Sequence, residues 1–265
     1  MRRSILATLL CPRCRRGALL SDSDAPELLF GPLRCVHCQA SFPVAEGVAD
    51  LVGERSAAGA LQRGMELPWV ARSYERYVRP AAQRALLRRA IDPDSEFMLY
   101  RALLGHPDGP VLDLCCGTGL FARRLARDQL LAPTVALDVS RPMLEEAVAQ
   151  AREGGVTVDF VRAEIPDLPF QDASLGGVLQ TSSLHLIENA PALFQEVSRV
   201  LKPGGCYLAS TYEPPPLVAA ALQRKAGLHP RSEAQLRDAL AVAGLDRFER
   251  VAMKPMLIVR AEKAA

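Results

Sequence analysis

The stretch that most constrains this chain is residues 111–119, VLDLCCGTG. Val111–Leu114 predicts a short buried strand, apolar except for Asp113, and the two glycines that follow predict a sharp turn. Residues 120–128, LFARRLARD, carry leucines and a phenylalanine at helical spacing, with arginines on the other side. Together they predict a βα unit of a Rossmann-like sheet, in which ligands lie beyond the carboxyl end of the strand.

A carboxylate nineteen positions after the last glycine of this turn strengthens the prediction. Residues 134–138, TVALD, predict a second strand that ends in Asp138, and an acid at this distance can accept both hydroxyls of a ribose. Two further motifs follow, Asp-Leu-Pro-Phe at 167–170 and Val-Leu-Lys-Pro-Gly-Gly at 200–205. The four motifs, in this order, resemble the class I S-adenosylmethionine-dependent methyltransferases, and in particular the subgroup related to the quinone methyltransferases.

The resemblance covers roughly residues 105–262. It implies an α/β fold with a Rossmann-like seven-stranded sheet and an enzyme that uses S-adenosylmethionine. Asp113 would fix the turn and the amine of the cofactor, Asp138 would hold the ribose, and Glu164 would receive the adenine amino group. The complete implied cofactor-binding set is Tyr74, Asp113, Cys115, Gly117, Gly119, Asp138, Val139, Met143, Ala163, Glu164, Ile165 and Gln180.

Two positions depart from the pattern of this family. Cys115 stands where the family usually has glycine, and a small side chain is tolerated there if φ is negative. Leu175-Gly176 replaces the common Phe-Asp at the start of the fourth strand of the family's sheet, which removes an acid.

His185 follows that strand and is expected to face the lid. It is the candidate general base for a hydroxyl or carbon nucleophile, because an ordinary imidazole pKa of ~6.5 suits proton removal at neutral pH. A role in packing alone is the alternative.

Two C-x-x-C pairs, Cys11/Cys14 and Cys35/Cys38, are separated by twenty residues. Two such pairs place four thiolates around one zinc ion, and a site closed by four thiolates predicts a structural role. Structural zinc stabilises small domains by roughly 10–16 kcal/mol. With residues 42–50, FPVAEGVAD, the pattern resembles the zinc-ribbon proteins that activate eukaryotic tRNA, rRNA and release-factor methyltransferases.

These patterns predict three parts, namely a zinc-ribbon domain at 1–53, a linker and helical lid at 54–104, and a methyltransferase core at 105–265. The linker is assigned to the small and polar residues 54–65. Trp69 and Tyr77, in the lid, are candidate substrate-binding residues that either enclose the acceptor or pack the lid onto the core.

The predicted lid helices are 68–79, 80–90 and 93–104. In the core, the predicted strands are 110–114, 134–138, 156–161, 176–181, 205–211, 248–253 and 256–262. Helices are predicted at 119–129, 142–152 and 190–201, and a further helix is predicted to begin at the capping box Ser232-x-x-Gln235. Residues 211–230 predict an irregular insertion near the mouth of the site.

Charge and hydropathy exclude several classes of protein. The chain has 32 Lys and Arg and 30 Asp and Glu, a net charge of +2, and no predicted part has the basic excess of a nucleic-acid binder. No apolar run approaches the roughly 18 residues that span a bilayer. The start imitates a lipoprotein signal, but its apolar core at residues 5–10 is shorter than the ~7–15 residues of a secretory signal, and Leu10 is not small. We therefore expect a cytoplasmic protein with reduced thiols.

The favoured function is methyl transfer to a small, apolar or aromatic acceptor. An RNA base methyltransferase of the rRNA guanine type is the rival, because those enzymes also join a zinc module to this fold. A catalytically inactive cofactor-binding scaffold is the third possibility, favoured by the acid missing at Gly176. The oligomeric state is left open.

Overall fold

The computed structural model describes residues 1–52, 60–128, 132–216 and 223–264. The strands are β1 Leu19–Leu20, β2 Gly31–Cys35, β3 Ser41–Ala45, β4 Val48–Asp50, β5 Val111–Leu114, β6 Thr134–Asp138, β7 Asp159–Arg162, β8 Leu175–Gln180, β9 Leu201–Tyr212, β10 Leu245–Met253 and β11 Met256–Lys263. The helices are α1 Arg3–Leu6, α2 Ala60–Met65, α3 Pro68–Ser73, α4 Arg79–Leu87, α5 Pro93–Leu104, α6 Leu120–Arg127, α7 Arg141–Glu153, α8 Ala190–Val200 and α9 Glu233–Val242.

One mixed sheet runs through the described ranges in the order β1-β2-β3-β4-β7-β6-β5-β8-β9-β11-β10. Strands β5 to β9 are parallel to their neighbours within the core, and β11 lies antiparallel between β9 and β10. The seven strands from β5 to β11 form the predicted Rossmann-like sheet, so the predicted fold class is confirmed.

The N-terminal segment lengthens this sheet to eleven strands within the described ranges. Strand β4 pairs in parallel with β7 through Val48↔Phe160, Ala49↔Val161 and Asp50↔Arg162. Without β4, β7 would be an open sheet edge with unpaired backbone groups. The ribbon therefore supplies the hydrogen bonds that this edge needs.

The ribbon also shares its apolar core with the rest of the chain. Leu9 and Leu33, both fully buried, belong to the same cluster as Phe170 and Phe194. The backbone N–H of Leu10 donates to the carbonyl of Pro169 at 3.0 Å. Burial against the core thus adds to any stability that a bound metal provides.

The lid differs from the prediction at its middle. Instead of two helices divided before Pro80, α3 continues through a π-helical turn at Tyr74–Val78 directly into α4. Proline has no N–H to donate, and the wider π turn immediately before it carries the chain past this gap without a break. The third lid helix, α5, has the predicted bounds, and Asp92 caps it by accepting from the Ser95 amide.

Part of the predicted linker is helical. Residues 60–65 form α2, and Met65 packs beside the buried Val70 and Met143, so tertiary contact overrides the loop-like composition. Residues 54–59 of this prediction lie outside the described residues.

Most predicted strands and helices lie within two residues of the observed bounds. The exceptions in the core are β7, which begins at Asp159, β10, which begins at Leu245, and β9, which includes Lys-Pro-Gly-Gly and begins at Leu201 after a register shift against β8. In the lid, α4 ends at Leu87, three residues before the predicted end. The predicted insertion begins later than expected because residues 211–212 end β9, and its residues 217–222 lie outside the described ranges. The capping box at Ser232 and Gln235 is present at the start of α9.

The carboxyl ends of β5, β6, β7 and β8 meet at one edge of the sheet, where a parallel sheet places its ligands. No helix within the described ranges has both the length and the apolar character needed to cross a membrane.

Candidate functional site

The turn after β5 is left-handed at three of its five residues. The φ angle is +59° at Cys115, +55° at Gly117 and +74° at Gly119. A Cβ atom at Gly119 would lie 3.1 Å from Ala147 Cβ, so glycine is needed there for space as well as for φ. The φ of Cys115 is positive, so the condition under which a side chain is tolerated there is not met, and the left-handed backbone costs roughly 1–2 kcal/mol.

The Asp138 carboxylate, at the end of β6, holds this turn in place. Its Oδ2 accepts from the Gly117 amide at 2.8 Å and its Oδ1 accepts from the Ser140 amide at 2.9 Å. Burial raises the pKa of Asp138, and these amide hydrogen bonds oppose the rise. A carboxylate has about four acceptor positions, so both oxygens can still accept hydrogen bonds from a ribose.

Asp113, inside β5, has an unsatisfied buried carboxylate. The residue is 1% exposed, and neither carboxylate oxygen has a hydrogen-bond partner among the described residues. Burial, with the nearby charge of Asp138, raises the pKa of Asp113 to about 7. A buried acid without a protein donor fits a ligand that brings a cationic group, such as the ammonium of S-adenosylmethionine.

The ends of β6 and β7 bring together the residues expected on the adenine side. The Ala163 amide donates to the Asp138 carbonyl at 3.2 Å, which joins the two strand ends. Glu164 and Ile165 follow β7 and are half-buried. Met143, 2% exposed on α7, packs against the lid helix α3. The half-buried Val139 lies between β6 and α7.

Unsatisfied polar groups also lie at the end of β8. The fully buried Gln180 accepts from the Tyr207 hydroxyl at 2.6 Å, but its Nε2 has no partner in the described part of the chain. Ser183 Oγ likewise has none there. Burial and the charge of Asp138 raise the pKa of the Cys115 thiol in the turn after β5. This end of the site can therefore bind a polar ligand group, and the thiol stays neutral.

The lid is fixed directly onto the glycine turn. A Cβ atom at Gly117 would lie 3.8 Å from Tyr74 Cε1, an ordinary contact distance. The neighbouring Glu75 accepts from Thr118 Oγ1 at 2.7 Å and from Arg123 Nη2 at 2.8 Å. No local pattern in the sequence marks Glu75, Thr118 and Arg123, because a pair 48 positions apart leaves no periodic signal.

A cavity of about 60 Å³ lies beneath the lid, between α4 and the ends of β8 and β9. It is lined by Tyr74, Arg79, Ala82, Gln83, Leu86, Leu87, Ser182, His185, Ser210, Thr211, Tyr212 and Met256. Tyr74 lines this cavity and also contacts the glycine turn at Gly117. The cavity therefore adjoins the expected methionine end of the cofactor site.

His185 lines this cavity from the 3₁₀ turn that follows β8. It is 6% exposed, its ring centroid lies 4.8 Å from that of Tyr212, and its Nδ1 has no partner among the described residues. Burial lowers the pKa of His185 to about 4. This pKa lies below the ordinary imidazole value of ~6.5 on which the general-base hypothesis depends, so the imidazole is a neutral hydrogen-bonding group at pH 7 and a weak base.

Trp69 and Tyr77 do not line the cavity. They are 66% and 60% exposed on the outer side of the lid, where Arg76 lies over the Tyr77 ring at 5.2 Å. Tyr74, by contrast, lines the cavity from the same continuous stretch of helix. The structure thus brings Tyr74 to the site and leaves the two predicted substrate-binding rings outside it.

Gly176 has a packing explanation. A Cβ atom there would lie 2.7 Å from the Asp108 carbonyl carbon, so the approach of the chain at residues 108–109 excludes any side chain. Gly176 is near the amino end of β8, the opposite end from Gln180. The missing acid is therefore remote from the site and no longer favours an inactive scaffold.

The four N-terminal cysteines form a compact cluster. Their Sγ atoms all lie within 4.8 Å of one another, with 3.7 Å between Cys11 and Cys38 and 3.6 Å between Cys14 and Cys35. Four sulfurs at ~2.3 Å from one zinc ion lie ~3.8 Å apart in a tetrahedron, so the cluster has the dimensions of a zinc site.

The backbone around this cluster suits thiolates. The amides of His37 and Cys38 each donate to Cys35 Sγ at 3.4 Å, and these bonds lower the pKa of Cys35 even though burial opposes them. A Cβ atom at Gly17 would overlap the same sulfur, so this position requires glycine. Gly17 was not among the predicted site residues. A glycine three residues after the second cysteine could have indicated a position where the backbone passes close to a ligand sulfur.

Comparisons with known proteins agree with this geometry. A family profile described as a methyltransferase domain matches residues 111–205. A methyltransferase of Arabidopsis thaliana, whose name calls it uncharacterized and chloroplastic, is 30% identical over 253 residues, which cover 87% of this chain and 70% of that protein.

Two more distant similarities extend the comparison. The ubiquinone/menaquinone biosynthesis C-methyltransferase of Desulfotalea psychrophila is 37% identical over 115 residues, covering 43% of this chain and 46% of its own. A solved complex between the Trm112 methyltransferase activator and a putative methyltransferase of Haloferax volcanii matches with a TM-score of 0.57 and 16% identity, covering 79% of this chain and 100% of the matched chain. At that identity the likeness concerns the fold alone.

Proposed function

Because the chain belongs to the class I S-adenosylmethionine-dependent methyltransferases, we propose that its acceptor is a small molecule of apolar or aromatic character. The cavity beneath the lid carries this proposal. Its walls are mostly apolar, with Leu86, Leu87 and Met256, and a few polar groups converge on it. Such a combination is typical of small-molecule sites.

The residues around the turn bind and orient the cofactor in this proposal. S-adenosylmethionine supplies a methyl group on a positively charged sulfur, already joined to a good leaving group. Asp113 would hold the ammonium and Asp138 the ribose hydroxyls, while Glu164 would accept from the adenine amine. The protein then aligns two reactants, which contributes on the order of 7–11 kcal/mol to catalysis.

The acceptor would lie against His185 and Tyr212. A neutral imidazole with an unpartnered Nδ1 accepts a hydrogen bond from, or donates one to, a hydroxyl of the acceptor, which fixes the orientation of the nucleophile. Tyr74 lines this cavity and also contacts the glycine turn, so its ring would lie beside the place where the two reactants meet. His185 is thus proposed as an orienting residue that contacts the acceptor.

The size of the cavity implies that the lid moves. Sites for small ligands enclose ~300–1,000 Å³, several times the 60 Å³ observed. Entry of the acceptor requires α4 to shift outward, and the exposed Trp69 and Tyr77 would then be free to turn toward the ligand.

A cavity-filling variant tests the acceptor site. Leu87→Phe places extra atoms in the cavity, whereas Leu67→Phe makes the same change at a 42% exposed position outside it. Both proteins would be assayed for methyl transfer from labelled S-adenosylmethionine to a panel of phenols, quinols and carboxylic acids. We expect Leu87→Phe alone to raise KM for the accepted compound, with an unchanged dissociation constant for the cofactor. Equal turnover by both variants would contradict the proposed site.

RNA remains the rival acceptor and is tested in the same assay. An RNA enzyme neutralises phosphates, so its affinity falls steeply with salt. Total cellular RNA should acquire no methyl label and should not bind in the micromolar range at physiological salt. Label in RNA, or tight and salt-sensitive binding, would replace the small-molecule proposal.

We further propose that the cysteine cluster binds one structural zinc ion. The sulfur separations and the amide bonds to Cys35 support it, and four thiolates leave no coordination position for catalysis. The name of the Haloferax complex links a methyltransferase to a separate activator, and the ribbon here would provide such a module within one chain. The cytoplasmic location stays a prediction, since the Arabidopsis relative is called chloroplastic.

A further inference from the structure

The end of β6 and the two residues after it form hydrogen bonds with other parts of the chain. Residues 138–140 carry the proposed ribose carboxylate, Asp138, and lead into α7. Ser140 Oγ donates to the Met65 carbonyl at 2.9 Å, and the Val139 carbonyl accepts from Arg162 Nε at 3.0 Å. The position of the ribose acid therefore depends on contacts made by the two residues that follow it.

Arg162, the last residue of β7, is itself held by the ribbon. Its Nη1 lies 2.9 Å from Asp50 Oδ2 and 3.1 Å from Asp50 Oδ1. Asp50 also accepts from Arg141 at 3.0 Å and from the Val52 amide at 3.3 Å. The side chains of Asp50 and Arg162 are only 15% and 13% exposed, so this pair is largely shielded from solvent.

Backbone pairing fixes both residues at the same level of the sheet. Asp50 is the register partner of Arg162 on one side, and Asp138 is its partner on the other. The guanidinium uses Nη1 for the ribbon and Nε for the Val139 carbonyl. A planar fork can make both bonds at once, which a lysine ammonium at the same place could not do with equal reach.

We infer that Asp50 is a positioning residue for the cofactor. The ribbon carboxylate orients Arg162, Arg162 holds the Val139 carbonyl, and this bond keeps Asp138 in place for the ribose. The inference rests on the proposed cofactor-binding role of Asp138. It gives the zinc ribbon a part in cofactor affinity in addition to covering the sheet edge.

Loss of the Asp50 charge has a defined consequence. An Arg162 side chain freed from Asp50 has Asp138 as its partner on the adjacent strand, and a bond between them would compete with the ribose. The hydrogen bond from Arg162 to the Val139 carbonyl would be lost at the same time. Cofactor binding is expected to weaken, whereas the acceptor cavity, walled by α4 and β9, is untouched.

The test compares Asp50→Asn with Glu46→Gln. Glu46 pairs with Arg152 at 2.8 Å, which also joins ribbon to core, but both side chains are more than half exposed and lie away from β6. Calorimetry would measure the dissociation constant of S-adenosylhomocysteine, with zinc content and melting temperature recorded for each protein. We expect about a tenfold weaker binding in Asp50→Asn and a change below about twofold in Glu46→Gln, since a charge-assisted bond contributes on the order of one decade.

Steady-state kinetics separate positioning from general damage. In Asp50→Asn, KM for the cofactor should rise while kcat and KM for the acceptor stay within about twofold of the wild type. Arg162→Lys provides a second variant that leaves the ribbon unchanged, and it should weaken cofactor binding as well. Unchanged affinity in either variant overturns the inference. Wild-type affinity for S-adenosylhomocysteine in Asp138→Ala would instead refute the proposed role of Asp138, on which this inference rests.

Discussion

Replacing Asp113 by asparagine should make the unliganded protein more stable and the cofactor complex weaker. The wild-type carboxylate is fully buried without a partner among the described residues, and burial raises its pKa from an ordinary 3.8 to about 7. Asparagine has nearly the same shape and cannot ionise. It removes the cost of a buried charge in the free protein, but it also removes the proposed partner of the ammonium.

The size of this effect follows from the two pKa values. The folded protein holds the Asp113 proton more tightly than the unfolded chain, so stability is lost as pH rises from the unfolded pKa through the folded one. A difference between 3.8 and about 7 corresponds to roughly 4 kcal/mol at ~1.36 kcal/mol per pKa unit. Roughly half of this loss of stability falls between about pH 5.5 and about pH 8.5. This range is chosen so that the cysteines of the proposed zinc site can remain deprotonated ligands.

Urea unfolding at a series of pH values measures this difference. The stability advantage of Asp113→Asn over the wild type should grow by about 2 kcal/mol between about pH 5.5 and about pH 8.5. Asp108→Asn, at a side chain that is 99% exposed, is the control and should show no such trend. Cofactor affinity of the wild type should rise through pH 7, with proton release, and that of Asp113→Asn should be weak and flat. A stability difference independent of pH would refute the assignment of a buried, unpartnered charge.

Four further outcomes are expected. Cys115→Gly should raise the free energy of unfolding by about 1 kcal/mol, because it relieves a left-handed cysteine, and a lower value in thermal denaturation would contradict this. Asp138→Ala should weaken cofactor binding by roughly 1.5–3 kcal/mol in titration calorimetry while circular dichroism stays unchanged, and wild-type affinity would exclude the ribose role. Metal analysis should find about one zinc per chain, lost in Cys35→Ser together with part of the thermal stability, and a folded metal-free ribbon would rule the site out. The His185 ring resonances should not titrate above about pH 5, since burial lowers the pKa to about 4, and a midpoint near 6.5 would show that water reaches the ring.

The parts of the fold with a local signal were predictable from sequence. The motif at 111–119 and the alternation of strands and helices fixed the type of sheet, because period and spacing are properties of neighbouring residues. The four cysteines were recognisable for the same reason, since two short spacings define the cluster. The pairing of β4 with β7 was not predictable, because no pattern within residues 48–50 specifies a partner more than a hundred residues away.

The candidate site divides in the same way. Residues at strand ends, such as Asp113 and Asp138, were located by position in a motif. The lowered pKa of His185 and the exposure of Trp69 depend on how the lid packs onto the core, which no local pattern specifies. The left-handed φ of Cys115 was likewise invisible, because cysteine rarely marks such a conformation.

The pairing of β4 with β7 also sets an order of events during synthesis. Asp50 and Arg162 are 112 positions apart. A ribosome adding ~5–20 residues per second needs roughly 6–20 s to supply the second partner after the first. The cysteines can bind metal during this interval, since both C-x-x-C pairs precede β4. The edge of β4 and the apolar surface around Leu9 stay uncovered until the later strands are made. Ribosome-bound nascent chains should therefore expose the unpaired edge of β4 until β7 emerges, the stage at which chaperone protection matters most.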